Sequence, residues 1–134
     1  MPQIVLLLVL AFGRPLGLAV ELVRVLTFES TEEVPVSLLL AVGIVESRLH
    51  PLAVGGAGEV GMWQVHPAWW PAKRGDSLDV QTRLAVRVLT HYRRKCGTMP
   101  GSLRGYNSGS CSKSGDYAKR VMRIKRVIDS CLAF

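Results

Sequence analysis

The chain has 134 residues, 49% of them hydrophobic and 20% charged, which excludes a disordered chain and is enough for one domain with a core of its own. Seventeen Lys and Arg against ten Asp and Glu leave a formal charge of +7, much of it after residue 72. Such a surface attracts polyanions in general, from nucleic acid to anionic lipid and acidic cell wall. With no zinc-ligand spacing, no phosphate loop and no DNA- or RNA-binding signature, no metal, no cofactor and no nucleic-acid partner are expected.

Residues 1–12, MPQIVLLLVLAF, are an apolar run shorter than the ~20 residues a membrane-spanning helix needs. The run has signal-peptide length, and Ala11 with Gly13 would permit cleavage before Arg14, Gly17 with Ala19 being a second site. No Lys or Arg precedes it, which weakens the export reading. A cleaved or anchoring segment 1–13 ahead of a domain 14–134, and an N-terminal helix packed on the core, both stay open. From Leu16 to Glu29, Leu18, Leu22, Val25 and Leu26 recur at helical spacing, and Ser30, Thr31, Glu32 and Glu33 end that helix and supply caps for the next.

Pro35 to Leu49 is apolar on nearly every side, which predicts a buried central helix that Pro51 stops. Val54 to Pro71 reads as loop and short turns, with glycines at 55, 56, 58 and 61 and tryptophans at 63, 69 and 70. His50 and His66 read as polar loop residues. Ser77 to Lys95 is an amphipathic helix with Val80, Leu84, Val88, Leu89 and Tyr92 inward, ended by Gly97 and Pro100. Leu103 to Gly109, LRGYNSG, reads as a loop, and Asp116 to Leu132 as the last helix, with Tyr117, Val121, Ile124 and Ile128 inward. Of Cys96, Cys111 and Cys131, an odd number, one bridged pair or three free thiols are equally open.

Glu46 leaves the core on the last turn of the apolar helix and faces the glycine-rich loop, an environment that raises a carboxyl pKa. Alone, a Glu at a helix end is an ordinary surface residue, and a glycine cluster an ordinary turn. Glu46-Ser47, then Gly61-Met62-Trp63-Gln64, then Gly105-Tyr106-Asn107, then Tyr117 occur in one order and spacing. Over residues 18 to 130 this set resembles the soluble-lytic-transglycosylase-like (SLT) domain of the lysozyme superfamily.

The resemblance implies a mainly α, lysozyme-like single domain of goose type with few or no strands. It also implies a peptidoglycan lytic transglycosylase, cleaving the β-1,4 bond between N-acetylmuramic acid and N-acetylglucosamine to a 1,6-anhydro product. Glu46 would be the single general acid and base. Ser47 would sit beside it and help place substrate, Gln64 would hydrogen-bond the glycan, and Tyr106 would aim its hydroxyl at Glu46. Asn107 would hold the cleft wall and contact sugar, and Tyr117 would border the site. One of the three tryptophans would stack on sugar.

Two positions depart from the family. Trp63 replaces the usual Met and would narrow a subsite, and Gly105 replaces the usual Ala. Recruitment of Glu59, Asp76 or Asp79 as a second carboxylate would instead give a goose-type muramidase. A catalytically silent wall-binding component, and a small membrane-disrupting protein, are the readings outside enzymology. The expected partners are peptidoglycan glycan strands, met by a monomer in the periplasm or cell envelope, with membrane association through residues 1–13. A small chain without added wall-binding modules suits a phage or a secretion apparatus.

Overall fold

The computed structural model describes residues 2–133. It is built from six helices: α1 (Pro2–Ala11), α2 (Leu16–Glu29), α3 (Val36–Ser47), α4 (Leu78–Cys96), α5 (Met99–Ser108) and α6 (Tyr117–Leu132). Among the described residues, β pairing is confined to isolated antiparallel bridges, Val54 with Val60 and Val60 with Val65. The mainly helical expectation therefore holds, and the lone β feature lies in the loop that faces Glu46.

Helix α3 is the axis of the fold. Every residue from Ser37 to Ile44 is buried, as a helix without a polar face requires. α6 packs against α3, α5 bridges α4 and α6, and α2 packs on α4. Bidentate hydrogen bonds from Arg24 to Asp79 (3.2 and 3.0 Å) and a bond from Arg83 to Glu29 (3.3 Å) tie α2 to α4 on the outside. Of the expected inward face of α4, Val80 is instead exposed, and Thr82 takes the buried position.

The apolar run at the N-terminus is a helix packed on α2, with Val5 and Val9 fully buried. Arg14 donates to the Arg48 carbonyl at 3.3 Å, and the Arg48 guanidinium lies 5.2 Å from the Phe12 ring centre. No described helix is long and apolar enough to cross a membrane.

Two boundaries differ from expectation. α3 stops before Pro51, because Arg48 and Leu49 turn left-handed (φ 55° and 62°). That turn carries Leu49 into the core, where it is fully buried, and the burial offsets the strain of the conformation. LRGYNSG is helix rather than loop. Thr98 caps it by accepting from the Gly101 amide at 3.1 Å, Pro100 opens its first turn, and left-handed Gly109 ends it. Glycine and asparagine favour turns, which makes the Gly-Tyr-Asn triplet read as one, yet here burial of Ser102, Leu103 and Gly105 outweighs propensity.

Cys96 and Cys111 form a disulfide and Cys131 is a free, exposed thiol. The bridge closes a separation of 15 residues that contains all of α5. Replacing Cys96 and Cys111 by Ser is expected to lower unfolding stability by about 3 kcal/mol. Denaturant unfolding of the double variant against the oxidised protein measures it, and an unchanged midpoint would show that packing alone holds α5.

Candidate active site

The last turn of α3 delivers Glu46, and the left-handed residues after it turn the chain so that the 53–65 loop crosses in front. Ser47 ties the two together: its hydroxyl donates to the Met62 carbonyl at 2.7 Å and accepts from the His50 amide at 3.0 Å. The Ser47 hydroxyl, expected to help place substrate, is thus engaged inside the protein, where it holds the loop against the helix that carries Glu46.

The loop is pinned from its other side by Gln81 of α4, which pattern reading does not single out. Its amide oxygen accepts from the Met62 amide at 2.8 Å, and its nitrogen donates to the carbonyls of Pro51 (3.1 Å) and Asp76 (2.9 Å). Gly61 is required here: φ is +83°, and a Cβ would stand 2.5 Å from the Gln81 amide oxygen. A glutamine within the α4 sequence is the available signal, but nothing local says which backbone it meets.

Trp63 turns into the core, 2% exposed, and its indole N–H donates to the Leu39 carbonyl of α3 at 2.8 Å. Space for it comes from Gly43, whose added Cβ would lie 3.3 Å from the indole nitrogen. It therefore does not narrow a sugar subsite. Gly105 has a similar explanation, since a Cβ there would meet the Tyr92 ring at 2.6 Å and the Cys96 sulfur at 3.1 Å. Both departures from the family pattern are packing adjustments.

A cleft of about 480 Å³ opens in front of Glu46. Glu46, Glu59, Gln64, His66, Tyr106 and Asn107 line it with polar groups, and Trp69, Trp70 and Tyr92 give it an aromatic wall. Trp69 is 79% exposed, and His91 packs edge-on against Trp70 and Tyr92. Gln64, held at φ 49°, donates its amide nitrogen to the carbonyls of Ala53 (3.2 Å) and Gly61 (2.9 Å). Both amide protons are engaged, so what it can offer a ligand is its oxygen.

The two tyrosines exchange expected positions. Tyr117, at the start of α6, donates its hydroxyl to Glu46 Oε2 at 2.7 Å, while Tyr106 donates to the Trp63 carbonyl. Burial pushes both phenols well above their ordinary pKa, and the charge of Glu46 adds to this, so each is a neutral donor. Ser47 and Tyr117 do not line the cleft itself. Of the three other carboxylates considered, Glu59 alone shares the cleft with Glu46, its Oε1 accepting from the Ala57 amide at 2.8 Å. Asp79 is engaged by Arg24, and Asp76 accepts from the Lys73 amide in a turn.

Burial raises the pKa of Glu46 from an ordinary 4.5 to about 7, with the charge of Glu59 adding and the Tyr117 hydroxyl and Arg120 opposing. Between those pH values the folded protein holds a proton that the unfolded chain releases. Stability therefore declines as pH rises through this window and levels off above it, by up to about 3 kcal/mol in all. Urea unfolding from pH 4 to 8 should show this slope in wild type and lose that part of it in Glu46→Gln. Parallel curves would mean that Glu46 is solvated.

No curated protein and no solved structure matches the chain significantly. Residues 25–126 match the family model of the transglycosylase SLT domain, a span that takes in Glu46, the Gln64 loop, the Tyr106 helix and Tyr117. With most of its length inside that match, the chain belongs to the transglycosylase SLT domain family, cell-wall enzymes of lytic-transglycosylase type that act on peptidoglycan outside the cytoplasm.

Proposed function

We propose that the protein cleaves the β-1,4 bond between N-acetylmuramic acid and N-acetylglucosamine with Glu46 as its one general acid and base. The observation that carries this reading is a half-buried Glu46 at the cleft, hydrogen-bonded by a neutral Tyr117. A carboxyl with pKa about 7 is protonated often enough to act as an acid and is a strong enough base once ionised.

Glu46 donates its proton to the O4 leaving oxygen as the C1–O4 bond breaks and positive charge grows at C1 of the muramoyl sugar. The sugar's own N-acetyl group stabilises that charge. The Glu46 carboxylate, stabilised by the Tyr117 hydroxyl, then removes the C6 hydroxyl proton as O6 bonds to C1. The 1,6-anhydro ring closes, the proton is back on Glu46, and no water is consumed. Gln64 through its amide oxygen and Asn107 through its exposed amide hold the glycan, and Trp69 gives a sugar face an aromatic surface to stack on. Ser47 and Tyr106 act through the loop they tie. Action in the periplasm or cell envelope, by a monomer, suits this substrate.

Glu59 in the same cleft favours one second reading, a hydrolase in which it activates water or stabilises the cation. Mass spectrometry of products from purified peptidoglycan separates the two. The expected result is anhydro-muropeptides from both wild type and Glu59→Gln. Reducing-end products from wild type, lost in Glu59→Gln, would move the function to hydrolysis.

A further inference from the structure

Beside the main cleft lies a smaller groove, of about 40 Å³, which shares Asn107 and Ser108 with it and is bounded on the α6 side by Tyr117. Among the described residues its charged ones are Arg104 and Lys113, and no carboxylate lines it. Asp116, next to Tyr117 in sequence, is exposed and outside the lining. Arg104 is half-buried and positioned by its Nε, which donates to the Cys111 carbonyl at 2.7 Å. Its terminal nitrogens remain to meet a ligand. Lys113 is exposed and makes no side-chain hydrogen bond among the described residues. The disulfide anchors Cys111 to the end of α4 and so fixes the loop that carries this basic pair beside the cleft.

Tyr117 links the groove to the chemistry, since the residue that bounds the groove also donates to Glu46. A substituent of the reacting sugar itself, not of a distant one, would therefore reach it. The muramoyl sugar carries such a substituent at O3, a short peptide stem with free carboxylates. Planar guanidinium beside an ammonium is a donor set for carboxylate.

We infer that the groove between Arg104, Lys113 and Tyr117 binds a carboxylate of the peptide stem, so that the protein distinguishes stem-bearing from bare glycan. The inference rests on the glycan lying at Glu46 as proposed above, and it adds a subsite off the sugar track. Binding in the groove places the stem-bearing sugar next to the acid and leaves the stemless neighbour as the leaving group.

The test is affinity, measured by calorimetric titration on Glu46→Gln protein so that turnover does not intervene. The probes are the N-acetylglucosaminyl-N-acetylmuramic acid disaccharide with its lactyl carboxyl amidated, the same disaccharide with an acidic tripeptide stem on that carboxyl, and that stem with its carboxylates amidated. The acidic stem is expected to tighten binding about five- to tenfold over the other two. Adding Lys113→Glu, an exposed change that leaves the core alone, should remove the gain, and Arg104→Gln should do the same. Equal affinity for the three probes, or a gain that survives both substitutions, would overturn the inference. Product formation by unmodified protein reports on Glu46 separately: a stem preference without products would sink the chemistry and leave the subsite.

Discussion

Glu46→Gln is expected to lower the turnover of peptidoglycan by at least about a thousandfold, the upper range for losing a general acid, here one that the proposed mechanism also uses as the base. The amide is nearly isosteric and cannot deliver a proton to a leaving oxygen. Because burial is what opposes ionisation of Glu46, the variant should fold at least as stably as wild type near neutral pH. Lost activity in a stable protein is then the signature of chemistry. Tyr117→Phe is the companion change. The Tyr117 hydroxyl pulls the Glu46 pKa down, so its removal should move the alkaline limb of the rate profile to higher pH and slow the step in which the carboxylate acts. Rates of soluble-fragment release from pH 5 to 9 measure both. A Glu46→Gln protein within tenfold of wild type would leave the acid to be found elsewhere.

Trp63→Ala is expected to cost about 3 to 5 kcal/mol, the range for deleting a large buried aromatic. That is a large share of the 5–15 kcal/mol by which domains are typically stable. Trp63 fills the space above Gly43, donates to the Leu39 carbonyl and, through its own carbonyl, accepts from Tyr106. The cavity would therefore open between α3 and the loop that carries Gln64, and activity should fall with stability. Trp63→Met restores the usual family residue and part of the volume, and should cost less. Denaturant midpoints for the three proteins check the order, and a Trp63→Ala loss below about 1 kcal/mol would mean that the site collapses around the gap.

The sequence carries the site in its order of motifs but not in its contacts. Glu46 can be read because an ionisable residue at the end of an apolar helix is a local contradiction, visible without coordinates. Tyr106 and Tyr117 can both be assigned to the site by resemblance. Which one reaches Glu46 depends on the relative placement of α5 and α6, both far along the chain from it, and the structure gives that contact to Tyr117. Trp63 defeats sequence reading for a related reason: a tryptophan beside a cleft motif has two directions to point, and Gly43, distant in sequence, decides between them.

What the sequence determined by itself is what depends on local pattern: α2, α4 and α6 from their 3.6-residue periodicity, α3 and its burial from an apolar run without a polar face, and the place of Glu46 at the end of that run. The tertiary structure alone decided the helix at Tyr106, where burial overrode turn propensity, and the pinning of the 53–65 loop by Ser47 and Gln81. It also decided the Cys96–Cys111 pairing and the choice of Glu59 as the second carboxylate in the cleft. Each of these joins residues far apart along the chain or sets backbone against side chain, and such energies are gained only once the helices have packed.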